Sequence, residues 1–126
     1  MSNERFKRGL AKRRRVLGDE YVEESLRKAD DFTRPLQEMV TEYCWGEIWQ
    51  RDGLSDRDRS MINLAMITAL NRPHELRIHV RGAINNGLSI IEIREVLMQT
   101  AIYCGVPAAI DAFRQARDVL SEMDRL

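Results

Sequence analysis

The residues whose types and spacing most readily suggest chemistry are Glu75 and His79, and His79 is one of only two histidines in the chain. They stand four positions apart, so on a helix they are neighbours on one face. Partial burial lowers the pKa of a histidine and a nearby carboxylate raises it, so His79 is predicted to be a proton donor or acceptor poised near neutral pH. The alternative is a boundary histidine that donates a hydrogen bond to Glu75 and does no chemistry.

A short helix must position this pair. Pro73 suits the first helical position and Gly87 suits the left-handed residue just past the end. Apolar residues recur on one side of this helix, and His79 lies at the border between them and a polar band. The apolar stripe consists of Leu76, Val80, Ala83 and Ile84.

Length and composition predict one helical domain that spans residues 1–126. The content is 44% hydrophobic and 32% charged with few aromatic residues, which is typical of a globular protein. No apolar run approaches the ~20 residues that cross a bilayer, and the basic N-terminus lacks the apolar segment of a signal peptide. We therefore expect a cytoplasmic protein with no membrane partner.

The two cysteines, Cys44 and Cys104, are far apart in sequence and each adjoins aromatic or apolar residues. This setting predicts buried free thiols in a reducing compartment. With two histidines and no local set of ligands, the sequence predicts no metal site.

The N-terminal region divides into two segments of opposite charge. Residues 3–17 predict a strongly basic helix ended by Gly18, and residues 19–31 are rich in acidic side chains. The two segments are electrostatic complements, within a subunit or between subunits. A nucleic-acid site on the basic helix is the alternative, but no aromatic platform accompanies it and the neighbouring acids would cancel its field, so we expect no nucleic-acid partner.

Thr33 and Pro35 predict the start of the next helix, which is expected to run to about Trp49. Gly46 lies between two tryptophans, Trp45 and Trp49, which indicates a close helix crossing with tryptophans as filler, or the approach of a ligand. The side of this helix expected to be buried carries Leu36, Met39, Val40, Tyr43, Cys44 and Ile48.

Three further helices complete an all-α fold with its core at about residues 33–123, since no segment alternates as a strand would. Ser55 and Asp58 have capping-box spacing before a helix that is apolar almost all round from Met61 to Leu70, and this helix is expected to be the central buried one. Ser89 and Glu92 form a second capping box. That helix is predicted to end near residue 103, before Gly105, and Pro107 opens the last helix.

Three blocks of the sequence carry a resemblance to a known family: W-G-E-x-W at 45–49, N-R-x-x-E-L-x-x-H at 71–79 and Y-C-G-V-P-A-A at 103–109. Together and in this order they resemble the 4-carboxymuconolactone decarboxylases of the β-ketoadipate pathway. The resemblance implies a single-domain multi-helix fold shared with the alkyl hydroperoxidase D superfamily. It also implies a ring-like homo-oligomer, expected to be a hexamer, with active sites near subunit contacts.

The peroxidase relatives in that superfamily have a C-x-x-C pair before the helix histidine, where this chain has Arg72 and Glu75. That departure removes the thiol redox mechanism. The implied reaction is instead the loss of CO₂ from 4-carboxymuconolactone, which gives the β-ketoadipate enol-lactone without a cofactor, because the lactone carbonyl accepts the electron pair.

Site roles follow from the resemblance and from the needs of this reaction. His79 would deliver the proton or bind the enolate oxygen, and Glu75 would orient it. Arg72 and Arg59 would bind the carboxylates of the substrate. Glu47 would act as a second acid or base or repel the departing carboxylate, and the pocket walls would be Trp45 and Tyr103.

Three other functions remain open from the sequence. A related decarboxylase acting on another lactone or β-keto acid is the most serious alternative. A thiol-dependent antioxidant enzyme would need chemistry from Cys44 and Cys104, and a non-catalytic helical binding module would leave His79 as an ordinary boundary residue.

Overall fold

The computed structural model describes residues 2–126, with side chains from residue 4 onward, and this part of the chain is helical without a strand. The all-α prediction is thereby confirmed. The helices are α1 (Ser2–Leu17), α2 (Asp19–Lys28), α3 (Arg34–Met39), a π-helix (Val40–Trp45), a 3₁₀-helix (Ile48–Gln50), α4 (Asp56–Leu70), α5 (Pro73–Asn85), α6 (Ile90–Cys104) and α7 (Val106–Glu122).

Helix boundaries that depend on one residue lie where the sequence predicts them. Gly18, Gly87 and Gly105 follow the ends of α1, α5 and α6 with φ angles of 96°, 96° and 112°, which only glycine adopts at little cost. Ser89 and Glu92 form both hydrogen bonds of the capping box that begins α6, at 3.0 and 2.8 Å. None of the described helices is long and apolar enough to cross a membrane.

The chain forms two compact units, one up to Ser55 and one from Asp56 to Leu126. In the first unit α1 crosses the π-helix so closely that a side chain on Gly9 would lie 2.0 Å from the Thr41 carbonyl oxygen. Trp45 and Trp49 are buried and stacked, with ring centroids 4.7 Å apart. The interpretation of Gly46 as a close crossing with tryptophan filler is confirmed.

The single helix expected from Thr33 to Trp49 is wrong, because the chain changes from α3 to a π-helix at Val40 and ends in a 3₁₀ turn. The residues buried there are Thr41, Trp45, Gly46 and Trp49. Gly9 and Gly46 let α1 approach the segment closely on the side of these buried residues, so the two large indoles are enclosed. Half or more of the surface stays exposed at Leu36, Met39, Tyr43 and Ile48, and Val40 and Cys44 are only partly buried.

The basic and acidic segments at the N-terminus are complementary within one chain. Arg14 of α1 forms an ion pair with Glu23 of α2 and lies 3.8 Å from the Asp19 carboxylate. Part of the basic charge of α1 is therefore neutralised by its neighbour in sequence.

The core of the second unit lies where α5 packs against α4 and α7, and α6 packs against α4 and α7. Its buried members include Leu64, Leu76, Val80, Ala83, Ile93, Leu97, Ala112, Ala116 and Leu120. The expectation that α4 is buried all round is wrong, because its partners lie on one side and leave Ile62, Met66 and Leu70 between 41% and 64% exposed. The expectation of buried thiols also fails for Cys104, which is exposed at the last residue of α6.

We predict that Gly9→Ala lowers the free energy of unfolding by about 1–3 kcal/mol, the usual cost of overpacking. Alanine gains at most ~1 kcal/mol of helix propensity over glycine, which does not offset a methyl group placed 2.0 Å from a backbone oxygen. Urea denaturation measures the change.

Gly53→Ala is the matched control, since a methyl group there meets nothing within 4 Å. Its unfolding free energy is expected to stay within about 0.5 kcal/mol of the parent. Equal stability of the two variants would contradict the close crossing of α1 and the π-helix.

Candidate active site

The junction between α4 and α5 fixes where the candidate site begins. Asn71 adopts a left-handed conformation with φ 56°, and the Arg72 N–H donates to the Ile67 carbonyl at 3.2 Å while the Asn71 N–H donates to Thr68 at 3.0 Å. These bonds are the Schellman motif that ends a helix. Arg72 therefore stands at the N-cap of α5, followed by Pro73. Asparagine before an Arg-Pro pair was the available signal for this turn, and sequence reasoning missed it.

The far end of α5 is held in the same way. The Leu88 N–H donates to the Ala83 carbonyl at 2.9 Å across Gly87. The Asn86 side-chain amide donates to Ser60 Oγ on α4 at 2.9 Å. Ser60 is almost fully buried, and neither it nor Asn86 was predicted as a site residue. Both termini of α5 are thus tied to α4.

The apolar stripe predicted for α5 is confirmed, because Leu76, Val80, Ala83 and Ile84 are all buried. His79 lies at the border of this stripe and is partly buried, as the spacing indicates. Arg72, Glu75 and His79 follow one another along a single face of the helix. His79 is seven positions after Arg72, a rise of roughly 10 Å along the axis.

Burial lowers the pKa of His79 from 6.5 to about 4. The expected pKa near neutrality is therefore not observed. Glu75 is exposed, so water screens its carboxylate, and the desolvation of the imidazolium is the larger effect. His79 is accordingly a neutral imidazole at pH 7, in which one ring nitrogen can donate a hydrogen bond and the other can accept one.

Two arginines of the second unit were predicted to bind carboxylates. Arg72 is exposed, and within the described part of the chain it forms no ion pair or side-chain hydrogen bond. Its guanidinium and the first N–H groups of α5 are at the same helix end, where an anion is favoured. Arg59 is partly buried on α4. The structure therefore has a cation available at the start of α5.

Tyr103 is 81% exposed near the end of α6. It lines a groove of about 340 Å³ between α4 and α6, and none of the other candidate residues is among the described residues that line this groove. The structure of the second unit therefore does not bring Tyr103 together with His79 in that groove.

The remaining two candidates belong to the first unit. Trp45 is buried in its stack with Trp49. The Glu47 carboxylate is about half exposed and lies 3.8 Å from Arg5 Nε, while the Arg5 guanidinium sits 5.1 Å above the Tyr43 ring. Glu47 thus has a cationic neighbour that sequence reasoning did not identify.

Metal-binding side chains are not clustered in the described residues, which contain no group of three His, Cys, Asp or Glu side chains that could hold an ion. The absence of a cofactor from the reaction stays a prediction.

Comparison with known proteins decides the family. The model of the carboxymuconolactone decarboxylase family matches residues 34–118. The chain belongs to this family. It is therefore an enzyme of the decarboxylase class, a carboxy-lyase.

Two curated relatives match almost the whole chain. It is 46% identical to the nitrosuccinic acid decarboxylase of Metarhizium robertsii over 118 residues, 94% of this chain and 82% of the relative. It is 37% identical to the 4-carboxymuconolactone decarboxylase of Acinetobacter baylyi over 120 residues, 95% of this chain and 90% of the relative. Two relatives with different named substrates are thus similar to this chain along almost its whole length.

The depressed pKa of His79 predicts a loss of stability in acid. In the unfolded chain His79 binds a proton near pH 6.5, whereas in the folded chain it does so only near pH 4. The stability that the neutral His79 contributes is therefore fully present above pH 6.5 and is lost as the pH falls towards 4. At most roughly 3 kcal/mol of unfolding free energy is involved. Urea denaturation between pH 7.5 and 4.5 should show a shallower dependence for His79→Gln than for the parent.

An NMR titration gives the direct check. His74→Gln leaves His79 as the only histidine, so its imidazole signals are unambiguous. Titration of His79 above pH 6 would contradict the assignment of a neutral, desolvated imidazole.

Proposed function

We propose that this decarboxylase removes CO₂ from 4-carboxymuconolactone and yields the β-ketoadipate enol-lactone, without a cofactor, in protocatechuate catabolism. The observation that carries the proposal is the face of α5, where Arg72, which forms no ion pair within the described part of the chain, precedes a desolvated imidazole, His79, by a rise of about 10 Å along the helix axis. The 37% identity to a 4-carboxymuconolactone decarboxylase over 95% of the chain supports the choice of substrate.

The arginines act on the charge that the substrate keeps. The substrate is a dianion, and one carboxylate stays on the product. Arg72, with the N–H groups at the start of α5, binds that carboxylate, since a planar guanidinium matches a carboxylate through two hydrogen bonds. Arg59 is the second candidate for this role. Such a clamp holds substrate and transition state about equally.

Electrons move away from the departing carboxylate. The carbon–carbon bond to that carboxylate breaks, its electron pair passes through the ring double bond to the lactone carbonyl, and CO₂ leaves. The resulting dienolate is stabilised by a hydrogen bond to its oxygen and is then protonated on the ring carbon next to the carbonyl. His79 performs these last two tasks, because the negative substrate raises the pKa of the imidazole and lets it carry the proton.

The other assignments complete the proposal. Glu75 orients His79. Glu47 serves as a second acid or base or repels the departing carboxylate, and Trp45 and Tyr103 wall the pocket.

Nitrosuccinic acid is a second candidate substrate, and the 46% identity to a nitrosuccinic acid decarboxylase favours it. The chemistry makes the same demands. The bond between the nitro-bearing carbon and its carboxylate breaks, the electron pair passes into the nitro group, and the nitronate is protonated on carbon to give 3-nitropropanoate. The second carboxylate remains for an arginine to bind.

The deciding experiment offers each acid separately to the purified protein. CO₂ release is followed in D₂O, and the product is examined by NMR for one deuterium at the carbon that the mechanism protonates. Turnover of the lactone supports the first proposal, turnover of nitrosuccinate alone replaces it with the second, and release of CO₂ from neither overturns both.

We also propose that the enzyme works as a cytoplasmic homo-oligomer, with a hexamer expected. The support is the apolar surface left uncovered on the second unit, at Ile62, Met66 and Leu70 of α4 and at Ile102 and Tyr103 of α6. Sedimentation velocity at micromolar concentration is expected to show one oligomeric species. A monomer under those conditions would contradict this part of the proposal.

His79→Gln is expected to lower kcat by about 10²–10⁴-fold with little change in KM, because glutamine can donate a hydrogen bond to oxygen but cannot deliver a proton to carbon. Steady-state kinetics on the substrate identified above measure it. Arg72→Gln is the matched control and is expected chiefly to raise KM.

A kcat of His79→Gln within about threefold of the parent, well under 1 kcal/mol, would show that His79 is not the proton donor. Glu47 and Glu75 would then be the next residues to test.

A further inference from the structure

A buried arginine in the first unit has no role in the mechanism described so far. Arg13 of α1 is 5% exposed, and its guanidinium Nη1 donates to Thr41 Oγ1 at 3.0 Å. Within the described part of the chain it forms no ion pair with a carboxylate, and its buried Nε has no hydrogen-bond partner. The guanidinium is nevertheless charged, as arginine is in proteins.

Stability is a poor explanation for this residue. A buried charge without a counterion costs several kcal/mol of desolvation, and an apolar side chain of similar volume often serves as well or better. The burial of a charged side chain at this position therefore needs another explanation, and the residue that accepts its hydrogen bond suggests one. Thr41 is fully buried and is the second residue of the π-helix Val40–Trp45.

The π-helix sets the direction of the residues that follow it. Such wide turns are rare, and they occur frequently at functional sites. This one ends at Trp45, directly before Gly46 and Glu47. An extra residue in a turn rotates the next residues by about 100° relative to an uninterrupted α-helix. The directions in which the side chains of Trp45 and Glu47 point thus depend on whether the wide turn forms.

Helix α1 contacts this segment near both of its ends. Near the start, Arg13 binds Thr41 and Gly9 packs on the Thr41 carbonyl. Near the end, Gln50 Nε2 donates to the carbonyl of Trp45 at 3.1 Å and to that of Arg8 at 3.2 Å. The segment is thereby fixed by α1 rather than by its own periodicity.

We propose that Arg13 is a positioning residue, which holds the π-helix through Thr41 and so fixes the carboxylate of Glu47 for decarboxylation. The inference rests on the proposed function for its catalytic consequence only. Its structural part, that Arg13 holds the wide turn, stands independently.

The test uses Arg13→Met, which keeps the length of the side chain and removes its charge and its hydrogen bonds. Trp45 and Trp49 are the only tryptophans in the chain, and their stacked rings give an exciton signal in circular dichroism that reports this segment alone. We expect that signal to fall while the helical signal and the urea midpoint persist. We expect kcat to drop roughly tenfold to a hundredfold with KM nearly unchanged, the size of effect that a displacement of about 1 Å produces.

Arg8→Met is the matched control, since it removes an exposed arginine from the same helix. It is expected to leave the tryptophan signal and kcat at parent values. In a Glu47→Gln background, Arg13→Met is expected to reduce kcat by less than twofold, because its effect acts through that carboxylate. Should Arg13→Met fail to fold, Thr41→Val removes the acceptor with little change in shape and is judged by the same two readouts.

The outcomes separate the inference from the proposed function. An unchanged tryptophan signal in the folded variants, or a changed signal with parent kcat, overturns the inference. An additive loss of kcat in the Glu47→Gln background overturns it as well. If the parent chain turned over neither substrate, the proposed function would fail, and the tryptophan signal would still decide whether Arg13 holds the turn.

Discussion

The candidate site depends on the burial of one stripe of α5. Leu76, Val80 and Ala83 are at most 2% exposed within the core that α5 shares with α4 and α7. Burying each large apolar side chain stabilises the fold by about 1.5–3 kcal/mol, so the stripe fixes how the helix is rotated. His79 has no freedom to avoid the edge of that core. Leaving it neutral costs little, and its low pKa is thus a consequence of apolar packing around it.

Features decided by one or two residues could be predicted from the sequence. Gly18, Gly87 and Gly105 occupy left-handed positions that other residues rarely adopt, and the Ser89–Glu92 capping box needs only its own two side chains. The left-handed Asn71 uses the same physics, but asparagine appears there less often than glycine and so gives a weaker signal. Local chemistry therefore gave most of the helix boundaries.

The π-helix could not be predicted, because a wide turn leaves no mark in composition. Leu36, Met39 and Tyr43 do form an apolar stripe, yet they are exposed, while Thr41 is fully buried. Periodicity shows which side of a helix is apolar and not what covers it. Here the glycines at 9 and 46 let α1 approach from the other side, and that depends on residues more than thirty positions apart.

For the site as well, spacing along one helix could be predicted from the sequence and packing between helices could not. Arg72, Glu75 and His79 could be grouped from sequence because one helix fixes their spacing. The depressed pKa of His79 could not be predicted from the sequence, because the burial of His79 comes from other helices. Similarly, spacing contains no information on whether Trp45, Glu47 or Tyr103 approaches that helix, and their roles remain proposals.

A desolvated imidazole suits the proposed chemistry better than its low pKa suggests. Restoring the proton at pH 7 requires about 4 kcal/mol, by the pKa of about 4. A single carboxylate 4 Å away supplies about 4 kcal/mol at the effective dielectric constant of a protein surface, and the proposed substrates have two. The bound dianion can therefore raise the pKa of His79 enough for the imidazole to take up a proton from water. When CO₂ leaves, the negative charge of the departing carboxylate moves to the dienolate or nitronate. Burial disfavours the imidazolium form of His79, so it favours transfer of the His79 proton to the carbon of that intermediate.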